Sequence, residues 1–422
     1  MNILIIGNGA REHVFFKLLS DSPAKTNLFS INPNAAIQKL SKPIFSPFSF
    51  NLVKQVISNS AIEMVIVGPE NPLIDGIYDF IKADSEINHV SVIGPSKNGA
   101  QLEGSKKFAK DFMSRNNIPT AFSKTFTKET FLDACDFIKQ STPPYVLKAD
   151  GPAAGKGVVI LENVEDAIAE LKSMLIDSKF GESSKKVVIE EFLRGIEMSC
   201  FVIFDGKNYI TLPYAKDYKR IGEGDVGLNT GGMGSISPVS FIDESLDHKI
   251  HQKVIKPTIN GLIKEKINYR GFIFIGLINV DSEPYVIEYN VRMGDPETQV
   301  VLPRIKNDFL EIMLAIENQT LDKINLKINP DHFSNVVLAS KGYPEKYEKG
   351  FDITGLNNVK DSIIFQAGTS LTENKTTTNG GRVLSVVSRD KTFQTALKKS
   401  YGNIEKINFE GKTFRKDIGF DL

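Results

Sequence analysis

Four runs in the first hundred residues are apolar at consecutive positions instead of alternate ones: NILIIG at 2–7, NLFSIN at 27–32, IEMVIVGPE at 62–70 and VSVIGPS at 90–96. A strand that is apolar on both faces needs cover on both faces, which a parallel sheet flanked by helices supplies. The runs end in glycine or proline turns, and helical stretches separate them. Residues 1–103 are therefore expected to form a parallel α/β domain. The first run opens the chain but carries no basic segment before it and is cut at once by glycines. It reads as a buried strand and not as a leader.

The remaining length changes character. At 422 residues the chain has room for about three domains of roughly 150 residues each. A helix is expected from AQLEGSK to about Asn116, stopping before Pro119. Residues 121–191 read as a compact α+β insert, and residues 192–328 return to longer strands and helices. From 329 to 422, SNVVLASKGYP, IIFQAGTSL and GGRVLSVVSR, with a helix near 391–401, predict a small C-terminal α+β domain. Fold class is thus α/β and α+β, multidomain.

Lys+Arg and Asp+Glu both number 51, so nothing in the net charge points to a nucleic-acid partner. Two cysteines, Cys135 and Cys200, stand in no metal or redox spacing, which fits a reducing cytoplasm. No run of about 18 apolar residues occurs, so no membrane span is expected.

The chemistry concentrates in a few stretches. VLKADGPAAGKGVVIL, at 146–161, has a glycine-rich loop with a lysine, yet it is no Walker loop. Gly151 and Gly155 are separated by three residues, Lys156 precedes a glycine where a hydroxyl belongs, and β-branched residues follow where a helix belongs. It reads as a pliant hairpin connection whose N–H groups, from Gly151 to Gly157, can fold over a triphosphate, with Lys148 on the strand leading in. An ordinary hairpin loop is the plainer reading. Next comes VVIEEFLRGIE, where Glu190, Glu191, Phe192 and Leu193 offer backbone edges to adenine and Glu197 a carboxylate to a ribose. In PYVIEYNVRMGDPET, Glu288 and Asn290 lie two apart on a strand and share a face, a pair of hard oxygen donors suited to Mg²⁺. Arg292 continues that face toward a transferring phosphoryl group. The opening GNGARE looks like a dinucleotide fingerprint, but Glu12 stands where the third glycine belongs. Either Gly7, Gly9 and Arg11 meet a small anion at a helix start, or the stretch is only a tight turn.

Together these stretches resemble the ATP-grasp ligase superfamily. GNGAREH, VGPENPL, AQLEGSK, EEFLRG, NTGGMG, GDPETQ and NGGRVL, in that order along nearly the whole chain, narrow the resemblance to the phosphoribosylamine–glycine ligases. That resemblance implies a Rossmann-like N-terminal domain (1–103), a central ATP-grasp domain (104–120 and 192–328), a lid (121–191) and a C-terminal domain (329–422). It implies an ATP-dependent ligation of glycine to 5-phosphoribosylamine through glycyl phosphate, in purine biosynthesis, with Mg²⁺ or Mn²⁺. The expected form is a monofunctional cytoplasmic monomer. Carried over residue by residue, Lys106 and Lys148 hold phosphates beneath the loop with Gly155 and Lys156, and Glu190 to Leu193 seat the adenine. Glu197 meets the ribose, Glu288 and Asn290 hold the metal, and Arg292, Lys148 and Asp295 serve catalysis. Asp217, Asp295 and the backbone from Asn229 through Gly231, Gly232 and Met233 to Gly234 are candidates for glycine and the ribosylamine, with Gly9 and Arg11 at the phosphoribosyl group. Four departures stand out: Pro152 in the lid loop, Leu228, and Lys216 and Tyr218 where the family has glutamine and histidine.

Overall fold

The structure is a computed structural model that describes residues 1–153 and 157–422. Gly155 and Lys156 of the expected phosphate loop lie outside the described residues. The N-terminal sheet is parallel and five-stranded, ordered Lys42–Ile44, Asn27–Ile31, Asn2–Ile6, Met64–Val67, Ser91–Ile93. Consecutive residues of its first strand divide between two cores: Leu4 and Ile6 pack in one, Ile3 and Ile5 in the other. That explains the unbroken apolar runs. The edge strand Lys42–Ile44 carries a proline and gave no such signal, as proline-bearing strands belong at edges.

Two antiparallel sheets follow. The lid sheet orders Ser123–Thr127, Lys186–Glu190, Tyr145–Ala149 and Val158–Leu161. Its last two strands form the hairpin that carries the glycine loop. The central sheet orders Tyr209–Thr211, Ile196–Phe204, Gly271–Val280 and Glu283–Asn290. A third sheet joins His332–Ser340, Arg382–Asp390, Ser362–Gln366 and Lys412–Thr413 to two strands from much earlier, Lys216–Asp217 and Gly234–Ser237. Those two strands fall inside the segment expected to be central. Short strands with little periodicity of their own are placed by their partners.

The helix expected from AQLEGSK to Asn116 is two helices, Lys97–Gly104 and Lys106–Arg115. Ser105 leaves helical geometry (φ −141°, ψ 115°) and its hydroxyl accepts from Phe108 N, capping the second helix. The break puts Lys106 on the first turn of a helix. Among the described residues no helix is long and apolar enough to cross a membrane.

Candidate active site

The lid hairpin is fastened to the second of these helices. The Asp150 carboxylate accepts from Ser105 Oγ (3.0 Å) and from Lys107 N (2.7 Å), so an anion sits at the helix N-terminus. Lys106 Nζ reaches Gly151 O at 3.5 Å. On the neighbouring strand Lys148 is buried and its Nζ pairs with Glu190 Oε2 at 2.9 Å, while Lys110 approaches the same oxygen at 3.3 Å. Glu190 is therefore a buried counter-ion for two lysines. The Glu191 carboxylate likewise accepts from Phe122 N at 2.8 Å. Phe192 and Leu193 follow without regular secondary structure, and among the described residues nothing accepts from their N–H groups.

Across from the lid, Glu288 and Asn290 lie on the last central strand, in register with Gly276 and Phe274. A bulge just before Glu288 resets the alternation, which aims this pair independently of the earlier residues. A Cβ at Gly276 would stand 3.2 Å from Glu288 Cγ, so the glycine leaves room for the carboxylate. Burial pushes the Glu288 carboxyl up, but the ammonium groups of Lys219, Lys148 and Lys106 outweigh it and hold the group below the ordinary carboxylate range. Lys219 also binds Glu197 at 2.8 Å, and it is the first cause of that carboxyl's lowered pKa. Helix, lid and central sheet thus bring Lys106, Lys148, Lys219, Glu197 and Glu288 into one field. Lys219 lies outside the stretches quoted from the sequence.

Arg292 is more enclosed than expected. Its guanidinium meets Glu103 at 2.7 Å and Glu70 at 3.6 Å, and donates to Asn290 Oδ1 at 3.1 Å. Glu70 belongs to VGPENPL and Glu103 to AQLEGSK, stretches quoted whole with no residue singled out. Two carboxylates already balance this arginine. It joins the segments of Glu70 and Glu103 to the strand of Asn290.

Asp217 and Glu297 form a second carboxyl pair. Burial first, then the charge of Asp217, pushes Glu297 up from 4.5 to about 8, and burial raises Asp217 too. A folded-state pKa above the unfolded one gives stability that is complete below about pH 4.5 and lost as pH rises toward 8. Glu297→Gln cannot ionise. Its stability relative to wild type should rise by up to about 1.4 kcal/mol per pH unit inside that window. Urea unfolding at several pH values checks this; parallel curves would show that Glu297 ionises normally.

The most specific motifs meet at one junction. Gly232 has φ +111°, and a Cβ there would lie 2.3 Å from Pro296 Cδ, so NTGGMG packs directly on GDPET. Arg382, from NGGRVL, donates to Gly231 O (2.7 Å) and Asp295 O (2.6 Å). Gly232, Met233 and Gly234 are buried, while Gly231 is exposed. Arg11 is also internal: Nε donates to Glu12 Oε1 (2.5 Å) and NH1 to Met293 O (3.1 Å). Glu12 and Asp295 accept from Gly9 N (2.7 Å) and Arg11 N (3.2 Å), so the protein itself supplies the anion at this helix start. Beside this junction a cavity of about 290 Å³ is lined by Gly9, Asn34, Asp295, Tyr343, Gly368 and Arg382, among others.

A lysine-bearing antiparallel lid hairpin facing an antiparallel sheet with Glu-x-Asn on its last strand defines an ATP-grasp protein. Three family models agree with the parts: the phosphoribosylglycinamide synthetase N domain matches residues 1–103, its ATP-grasp (A) domain 104–298 and its C domain 333–421. The chain is 41% identical to the phosphoribosylamine–glycine ligase of Caldanaerobacter subterraneus subsp. tengcongensis, covering 99% of each. It is 42% identical to a bifunctional purine biosynthetic protein of Pichia angusta, covering 99% of this chain and 53% of that one, about half its length. The crystal structure of the Thermotoga maritima phosphoribosylamine–glycine ligase superimposes with a TM-score of 0.85 at 35% identity, covering 99% of this chain and 100% of that one. The chain belongs to the phosphoribosylglycinamide synthetase family.

Proposed function

We propose that the cleft between lid and central sheet joins glycine to 5-phosphoribosylamine with ATP, a step of purine biosynthesis. A glycine carboxylate oxygen takes the γ-phosphoryl group, giving glycyl phosphate and ADP. The ribosylamine nitrogen then attacks the acyl carbon, phosphate leaves with its electron pair, and the nitrogen gives up a proton to yield the amide. Chemistry of this kind depends on positioning and charge neutralisation more than on a nucleophilic side chain.

The observation that carries this reading is the convergence of Lys106, Lys148 and Lys219 on Glu288. The two lid-side lysines are assigned to the phosphates, the backbone of Phe192 and Leu193 to adenine, and Glu197 to the ribose. Glu288 and Asn290 fit Mg²⁺ or Mn²⁺: the carboxylate stays ionised, and the Asn290 oxygen keeps a second lone pair beside its bond from Arg292. The Asn290 Nδ2 atom is buried and has no partner among the described residues. Bound there, the metal would neutralise charge on the transferring phosphoryl group. Asp217 is assigned to the substrates because its strand sends Lys219 into the same cleft. The polar cavity beside Asp295 and Arg382 is assigned to the phosphoribosyl group. Cys135 and Cys200 are buried and unpaired, in keeping with a reducing cytosol.

The test is ADP release by the purified protein with ATP and Mg²⁺, omitting one substrate at a time. Release should require both glycine and phosphoribosylamine. Stimulation by another carboxylate in glycine's place would overturn the substrate assignment.

A further inference from the structure

Two of the departures noted in the sequence, Lys216 and Tyr218, meet at one acidic side chain. Lys216 Nζ lies 3.1 Å from Asp421 Oδ2, and the Tyr218 hydroxyl donates to Asp421 Oδ1 at 2.9 Å. The tyrosine is fully buried and the lysine 5% exposed. Around them the segment 415–421 forms a built surface. Arg415, 1% exposed, stands 5.4 Å from the Tyr218 ring centre and Phe420 6.1 Å from it. Arg415 pairs in turn with Asp225 (2.6 Å) and Asp417 (2.7 Å), and its NH1 donates to Arg220 O (3.1 Å). The segment 216–225 is therefore fastened to residues 415–421 at Lys216, Tyr218, Arg220 and the turn residue Asp225.

Along extended chain, side chains two apart share a face and neighbours oppose each other. Lys216 and Tyr218 point to Asp421. Asp217 and Lys219 point the other way, Lys219 to Glu197 at 2.8 Å and into the field of Glu288, and both into the field of Glu297. The strand that holds them is only two residues long and pairs through Lys216–Ile236 and Asp217–Ser235. So short a ladder fixes orientation weakly, and the contacts on its rear face supply the rest.

We infer that Asp421 is a positioning residue for the ligation: by holding Lys216 and Tyr218 it sets the direction of Asp217 and Lys219 on the opposite face. This rests on the reading of the cleft given above. A displacement of about 1 Å in a positioned group costs up to a hundredfold in rate, and a loosened strand falls below that limit.

The experiment is a double-mutant cycle between Asp421→Asn and the pair Lys216→Met with Tyr218→Phe, in the full chain. Wild-type turnover tests the cleft reading; the cycle tests only Asp421. Asp421→Asn should lower kcat/KM for glycine about tenfold while ADP affinity, measured by calorimetry, stays within about twofold. The Lys216→Met, Tyr218→Phe protein should show the same loss, and adding Asp421→Asn should change it little, since groups acting through one contact are not additive. A general loss of folding would weaken ADP binding and kcat/KM together. Wild-type kcat/KM in either variant, or a further tenfold drop in the triple variant, overturns the inference. Should Asp421→Asn not fold, Tyr218→Phe alone is read: it keeps the ring and removes one hydroxyl. A threefold or greater fall in kcat/KM at unchanged ADP affinity supports the inference, and no fall overturns it.

Discussion

Glu288→Gln is expected to lower turnover by about a thousandfold, without rescue by added Mg²⁺. The substitution is close to isosteric, and the space left by Gly276 accepts the amide, so the fold persists. What disappears is a buried negative charge that Lys106, Lys148 and Lys219 all stabilise. On the proposed reading the metal loses its charged ligand, and Lys106, Lys148 and Lys219 lose one of their counter-charges. Steady-state ADP release over a Mg²⁺ titration measures the effect. A near-wild-type rate at saturating metal would remove Glu288 from the metal site.

Lys148→Met lowers kcat/KM for ATP by at least about a hundredfold and costs about 2–3 kcal/mol of stability. Methionine keeps the stem but leaves the buried Glu190 carboxylate with Lys110 alone, at 3.3 Å. Breaking one side of a buried ion pair is expensive because the remaining charge stays out of water. Adding Glu190→Gln should return most of the stability, since the uncompensated charge goes, while activity stays low. Urea unfolding and ATP kinetics on the single and double variants separate the two effects. Activity recovered in the double variant would show that Lys148 serves only to neutralise Glu190 and holds no phosphate.

The parts of this protein that were readable in advance share a property: their signals are local. Unbroken apolar runs announced the parallel sheet because each of its central strands is buried on both faces. The Glu288-x-Asn290 pair was readable because alternation on a strand needs only neighbouring residues, and glycine spacing with the following β-branched run was enough to reject a Walker loop. Resemblance along the chain supplied the order of the motifs. It did not supply their internal partners. Arg11, beside two glycines at a helix start, had the look of an anion site. Its backbone N–H meets Asp295, 284 residues away. Glu70 and Glu103 stood inside quoted motifs, but only the fold brings both to Arg292.

Periodicity, turn chemistry and motif order therefore specified the kind of sheets, the hairpin lid and the family. The folded chain alone settled which charges neutralise which, which strands complete the C-terminal sheet, and that Lys216 and Tyr218 meet at Asp421. The reason is physical. Burial on a strand or helix is periodic along the chain and is written into adjacent residues. Pairing between buried charges depends on distances of a few ångströms between segments up to hundreds of residues apart, and no local pattern encodes them.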